Sequence, residues 1–136
     1  MGLIVSLDSR SGFTLIEFCV AVLIMMVGLM GLLQAVNVAT AHNLGNLLRN
    51  EAISVADEQM VLAKASVSDL TTFTNLASTS SLMNRKARGG FANYSINRTV
   101  TLASANSKEV AVRVSWRHRG NKNNHLISSL VANPSL

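Results

Sequence analysis

From Phe13 to Ala41 the chain runs twenty-nine residues with one charged side chain, Glu17. Between Phe18 and Leu33 there is no polar side chain at all. As an α-helix the longer stretch measures about 40 Å, against a bilayer hydrocarbon core of about 30 Å. A helix that is apolar on every side needs lipid or other helices around it. The chain has 136 residues, 49% of them apolar and only 4% aromatic. The apolar excess lies before Ala41, which predicts a membrane-spanning helix followed by one small domain with an aliphatic core. A secretory signal has a shorter apolar core followed by a small-residue cleavage site. This run is long and has no such site after it, so any cut is expected before it, at Gly12. The one cysteine, Cys19, lies inside the run and reads as a small membrane-buried hydrophobe.

Glu17 is the residue that needs a reason. Thr14-Leu15-Ile16-Glu17 has the spacing of a capping box, in which the threonine hydroxyl and the glutamate carboxylate each satisfy a backbone N–H. A carboxylate in the first turn also suits the positive end of the helix dipole. A second use is compatible with the first. If the chain is cut after Gly12, Phe13 acquires a free ammonium, and in a helical bundle that ammonium can meet Glu17 of the next subunit. An unpaired acid near hydrocarbon costs about 3 kcal/mol on insertion scales, and an opposite charge at contact distance offsets much of that. The pair would also set the axial register between subunits.

Gly12-Phe13-Thr14-Leu15-Ile16-Glu17 followed by an apolar helix resembles the processing site of type IV pilins and type II secretion pseudopilins. The resemblance implies that a prepilin peptidase cuts between Gly12 and Phe13 and N-methylates Phe13. It implies that Glu17 serves subunit assembly. It also implies an inner-membrane protein, single-pass, with a cytoplasmic N-terminus, a periplasmic C-terminal part and a place in a pilus at the cell surface after assembly. Partners implied are other major and minor pilins, through the N-terminal helix, and the inner-membrane assembly platform. The weak charge bias, Arg10 before the run against His42 and Arg49 after it, agrees with that orientation. Members of the family often carry a proline in the membrane half. This chain has Gly28 and Gly31 in that region instead, which could permit local melting or close helix packing.

Beyond the membrane segment, Leu44, Leu48, Ala52, Val55, Gln59 and Leu62 fall at helical intervals and predict a continuation of the helix to about Ala65, or a second helix after a break near His42–Gly45. The stretch 66–90 is rich in Ser, Thr and Asn and ends in a Gly pair, so it reads as an irregular connection anchored by Leu70, Phe73, Leu76 and Leu82. Three strands are then expected. Tyr94, Ile96, Val100 and Leu102 alternate with polar residues, with Arg98 interrupting the apolar face. Val110, Val112, Val114 and Trp116 form the strongest alternation, and Leu126–Val131 a shorter one. Turns over Ala103–Ser107 and Gly120–Asn124 favour an antiparallel meander covered by the helix stripe. The fold class expected is α+β, like that of type IV pilins: a leader over 1–12, a transmembrane half-helix over 13–41, a periplasmic half-helix over 42–65, a connecting loop over 66–90 and an antiparallel sheet region over 91–136. Val110–Trp116, Arg117–Gly120 and Leu126–Val131, with Leu33–Asn37 and Glu51–Met60 in the helix, are similar to the corresponding parts of PilV-type minor pilins and of the related minor pseudopilin.

Charge is segregated. From Asn84 onward there are nine basic residues and one acid, Glu109, whereas Phe13 to Met83 holds two bases and five acids. Arg113, Arg117 and Arg119 are expected to point away from the apolar strand face and to line a basic edge that could meet DNA, anionic lipid or an acidic protein face. The plainer account is a solvated basic surface, or one that pairs with acidic neighbours in an assembly, since no nucleic-acid motif surrounds these residues. His42, His118 and His125 lack metal-ligand spacing, and no nucleophile–base constellation stands out. No enzyme, metal or cofactor is expected. The function expected from the resemblance is that of a minor type IV pilin, with a minor pseudopilin of a type II secretion system, or a displayed basic head that captures DNA or an anionic surface, as alternatives.

Overall fold

The computed structural model describes residues 13–87 and 90–135. The expected leader, with Gly12, lies outside the described residues. The chain divides into two compact units, one up to Thr40 and one from Ala41 onward. Its elements are a helix α1 (Leu15–Ala65), a short helix α2 (Leu70–Asn75) and four strands, β1 (Thr79–Ala87), β2 (Gly90–Ser104), β3 (Ser107–His118) and β4 (Asn121–Ala132). The fold class is α+β, with a long N-terminal helix packed on a four-stranded antiparallel sheet.

In the first unit, α1 is a single helical element through Gly28 and Gly31, and every described side chain up to Thr40 is exposed. The helix is long and apolar enough to cross a membrane. Its polar residues are partly self-satisfied: the Thr40 hydroxyl lies 3.0 Å from the carbonyl oxygens of both Val36 and Asn37. Such back-bonding removes a donor that hydrocarbon could not satisfy.

In the second unit the strands form a meander, each pairing antiparallel with its neighbour in the order β1-β2-β3-β4. The alternation expected for β3 is present: Val110, Val112, Val114 and Trp116 are buried. On β2 the buried pair is Tyr94 and Ile96, with Arg98 and Val100 half-buried on the same face. The helix covers this face with Leu48, Ala52, Val55, Ala56, Met60 and Ala63. Three of those residues correct the expected stripe, for Gln59 is half-buried and Leu62 is exposed. A run of i, i+4 steps from Leu48 to Met60 is inclined to the helix axis, and a twisted sheet follows that incline rather than a straight line down the helix. The possible break near His42–Gly45 is absent, since α1 continues to Ala65.

The stretch 66–90 also departs from expectation. It contains α2 and β1, so the sheet starts at Thr79 rather than 91 and has four strands, not three. Asp69 starts α2 with a capping box: its carboxylate accepts from the Thr72 N–H at 2.8 Å, and the Thr72 hydroxyl accepts from the Asp69 N–H at 2.9 Å. The Thr72 N–H, and secondarily the Thr72 hydroxyl 3.0 Å from the carboxylate, hold the Asp69 carboxyl below its ordinary pKa. Lys108 closes the other end, with Nζ donating to the carbonyls of Phe73 at 2.8 Å and Thr74 at 2.9 Å. A lysine on the buried face of β3 is thereby satisfied by the orphan carbonyls of a helix C-terminus. Of the four expected anchors, Phe73 and Leu76 are buried while Leu70 and Leu82 are exposed. The last turn is tighter than expected: Arg119 and Gly120 alone join β3 to β4, and Lys122–Asn124 belong to β4.

Two polar contacts tie the sheet to α1. The Tyr94 hydroxyl, in a wholly buried residue, donates to the Leu48 carbonyl at 3.1 Å. Arg85, on the inner face of β1, pairs with Glu58 and approaches Glu51 to 3.7 Å. Burial, and secondarily the charge of Glu51, raise the Tyr94 pKa. A raised acid pKa means that the folded state holds the proton more tightly. This stability is present below the unfolded value of about 10 and is lost as pH rises past it. Tyr94→Phe is expected to cost about 1 kcal/mol at neutral pH and to remove the Tyr94 share of the alkaline loss. Urea denaturation of the detergent-solubilised chain at neutral and alkaline pH measures both.

Candidate functional site

Two surfaces carry the residues that the sequence singles out. The first is the start of α1. Thr14 caps it: its hydroxyl accepts from the Glu17 N–H at 3.3 Å, and its carbonyl accepts from the Phe18 N–H at 3.1 Å. Only this half of the expected capping box is formed among the described residues; the Glu17 carboxylate makes no return bond to the Thr14 N–H. Glu17 stands exposed in the first turn, and Phe13 is exposed before it. Among the described residues the carboxylate has no partner, and it stands exposed where an intermolecular one can reach it. Gly28 and Gly31 have nothing within 4 Å of a Cβ built on either, so this chain's own packing does not explain them.

The second surface is basic. The structure splits the three expected arginines. Arg113 lies on the outer face of β3, opposite Leu126 of β4, beside a shallow depression lined also by Asn97, Thr99 and Ala111. Arg117 and Arg119 belong to a larger open depression of about 680 Å³ within the second unit. Its apolar lining includes Leu44, Leu48, Phe91 and Trp116. Among the described residues its fixed cations are Arg117, Arg119 and Lys122, and no acidic residue lines it. Lys122 was not singled out by the sequence pattern. The two-residue turn brings it opposite Arg117, and a turn of that length could not be told from a longer one by composition alone. The His118 ring lies beside Gly45, its Nε2 3.6 Å from where a Cβ would stand, so an alanine there would meet it at ordinary contact distance.

Among the described residues no group of His, Cys, Asp and Glu is arranged to hold a metal ion. Comparison with protein-family models, with curated proteins and with solved structures finds no match to this chain.

Proposed function

We propose that the chain is a minor type IV pilin: a prepilin held in the inner membrane, cut after Gly12, N-methylated at Phe13 and packed by α1 into a pilus or the complex that starts one. The observation that carries this reading is the first unit. A helix begins at Leu15, two residues past the Phe13 of the sequence's glycine–phenylalanine pair, is exposed and predominantly apolar from there to Thr40, and has one acid, in its first turn. Lipid can cover such a helix in a stored subunit, and neighbouring helices can cover it in a filament. The Glu17 carboxylate is the one charge that both states must account for, and the new Phe13 ammonium of a neighbour is its partner on this reading. The partners are a prepilin peptidase, other major and minor pilins and an assembly platform in the membrane.

Mass spectrometry of the protein recovered from native membranes tests the proposal. The N-terminal peptide is expected to begin at Phe13 and to carry one added methyl group. Recovery of residues 1–12 on the mature chain would leave only a single-span anchor.

A further inference from the structure

We infer that the open depression at the β3–β4 turn is a seat for anionic phospholipid head groups. The inference depends on the membrane reading of residues 13–41 and goes beyond the pilin proposal, which gives this surface no task.

Three observations point to an anion. The first is the lining: Arg117, Arg119 and Lys122, with no acid among the described lining residues. The second is a cost. Arg117 and Lys122 are directly opposed across β3 and β4, and like charges in that position destabilise a ladder. The third is another cost. Arg119 has φ 51° and Gly120 φ 81°, both in the left-handed region. A two-residue hairpin turn of this kind favours Asn or Asp before Gly, whereas an arginine there is strained. The turn therefore carries charge where the fold would be better served by a short polar residue, and an anion bound across the three cations offsets both penalties.

Position and lining select lipid from the other anions. Leu44 and Leu48 line the depression, and Leu44 is four residues beyond Thr40. Four residues span at most about 14 Å however they are arranged. The apolar stretch fills a hydrocarbon core with about 10 Å to spare, so this lining lies within reach of the head-group layer. Phe91, 78% exposed, adds an apolar ring that can bury at the head-group/acyl boundary. A solvated basic patch would need no apolar lining.

The test uses the full chain in nanodiscs, either of phosphatidylcholine alone or with phosphatidylglycerol, followed by hydrogen–deuterium exchange over Ser115–Asn124. Phosphatidylglycerol is expected to slow exchange in this hairpin. The protection should fall about fivefold for each cation removed, as Arg117→Gln, Arg119→Asn or Lys122→Gln, and should weaken at high salt. Arg119→Asn separates binding from folding: it is expected to raise the Tm by a few degrees while protection falls. Hairpin exchange that is equal in the two lipids, in a chain that stays inserted, overturns the inference and leaves the membrane reading intact. A chain that fails to insert overturns the membrane reading itself. Protection by a duplex oligonucleotide in phosphatidylcholine discs, without any effect of phosphatidylglycerol, also overturns the lipid assignment and makes the site one for nucleic acid.

Discussion

Trp116→Ala is expected to remove about 3–5 kcal/mol from the stability of the second unit, the range for emptying a buried aromatic site. The ring is 6% exposed and lies in one cluster with Val110, Val112 and Val114 of its own strand and with the buried face of α1. It also meets Tyr94 at a centroid distance of 6.3 Å and a tilt of 49°, an arrangement that adds to simple burial. A domain of this size holds about 5–15 kcal/mol in all. The variant therefore sits close to its unfolding threshold, and its urea midpoint, followed by circular dichroism because the only tryptophan is gone, should fall steeply. A loss below about 1 kcal/mol would contradict the burial of this ring. Arg113→Ala, on the exposed face of the same strand, is the matched control and is expected to stay within about 0.5 kcal/mol of the parent.

The legibility of the fold follows how much of each element is specified by apolar spacing. β3 alternates without exception from Val110 to Trp116, and the structure buries that set. β1 has no such signal. Its inward positions are Met83, Arg85 and Ala87, and its central inward residue is an arginine. What holds this edge strand is the ladder with β2 and the approach of Arg85 to Glu51 and Glu58, seven residues apart on α1. Neither contact leaves a mark in hydropathy. α2 is six residues long, shorter than two helical turns, and only its Asp69–Thr72 cap distinguishes it from a loop. The helix stripe was legible where it begins, at Leu48, Ala52 and Val55, and lost where the sheet's twist moves it to Met60 and Ala63.

The charge segregation of the sequence has a similar partial translation. Some of it is internal pairing, since Glu51 and Glu58 of α1 face Arg85, and Lys108 is spent on the carbonyls that end α2. Arg98 likewise turns inward, donating to the Ala77 carbonyl at 3.2 Å. Among the described residues of the sheet, the charge left over lies on its outer face and one turn, at Lys86, Arg113, Arg117, Arg119 and Lys122. Composition alone could count these cations. Only the register of β3 and β4 shows which of them are neighbours.

Glu17→Ala is expected to lower incorporation into filaments about a hundredfold while leaving the start of α1 as it is. The two halves of that statement rest on different atoms. The Thr14 hydroxyl accepts from the backbone N–H of residue 17, which alanine supplies as well as glutamate does. The carboxylate itself has no return bond to the Thr14 N–H, so capping does not require it. What the substitution removes, on the proposed reading, is the partner of a neighbour's Phe13 ammonium, leaving that charge uncompensated among apolar helices. The cost on insertion scales is about 3 kcal/mol, which corresponds to about two orders of magnitude in an equilibrium. Membrane insertion of the single subunit should be undiminished, because the variant has one charge fewer to place in lipid. Immunoblotting of sheared filaments against the membrane fraction measures the ratio, and Glu17→Asp is expected to recover part of it by restoring the charge at a shorter reach. Equal incorporation of the alanine variant, with normal trimming at Gly12, would leave the carboxylate as no more than a charge placed at the positive end of a helix dipole.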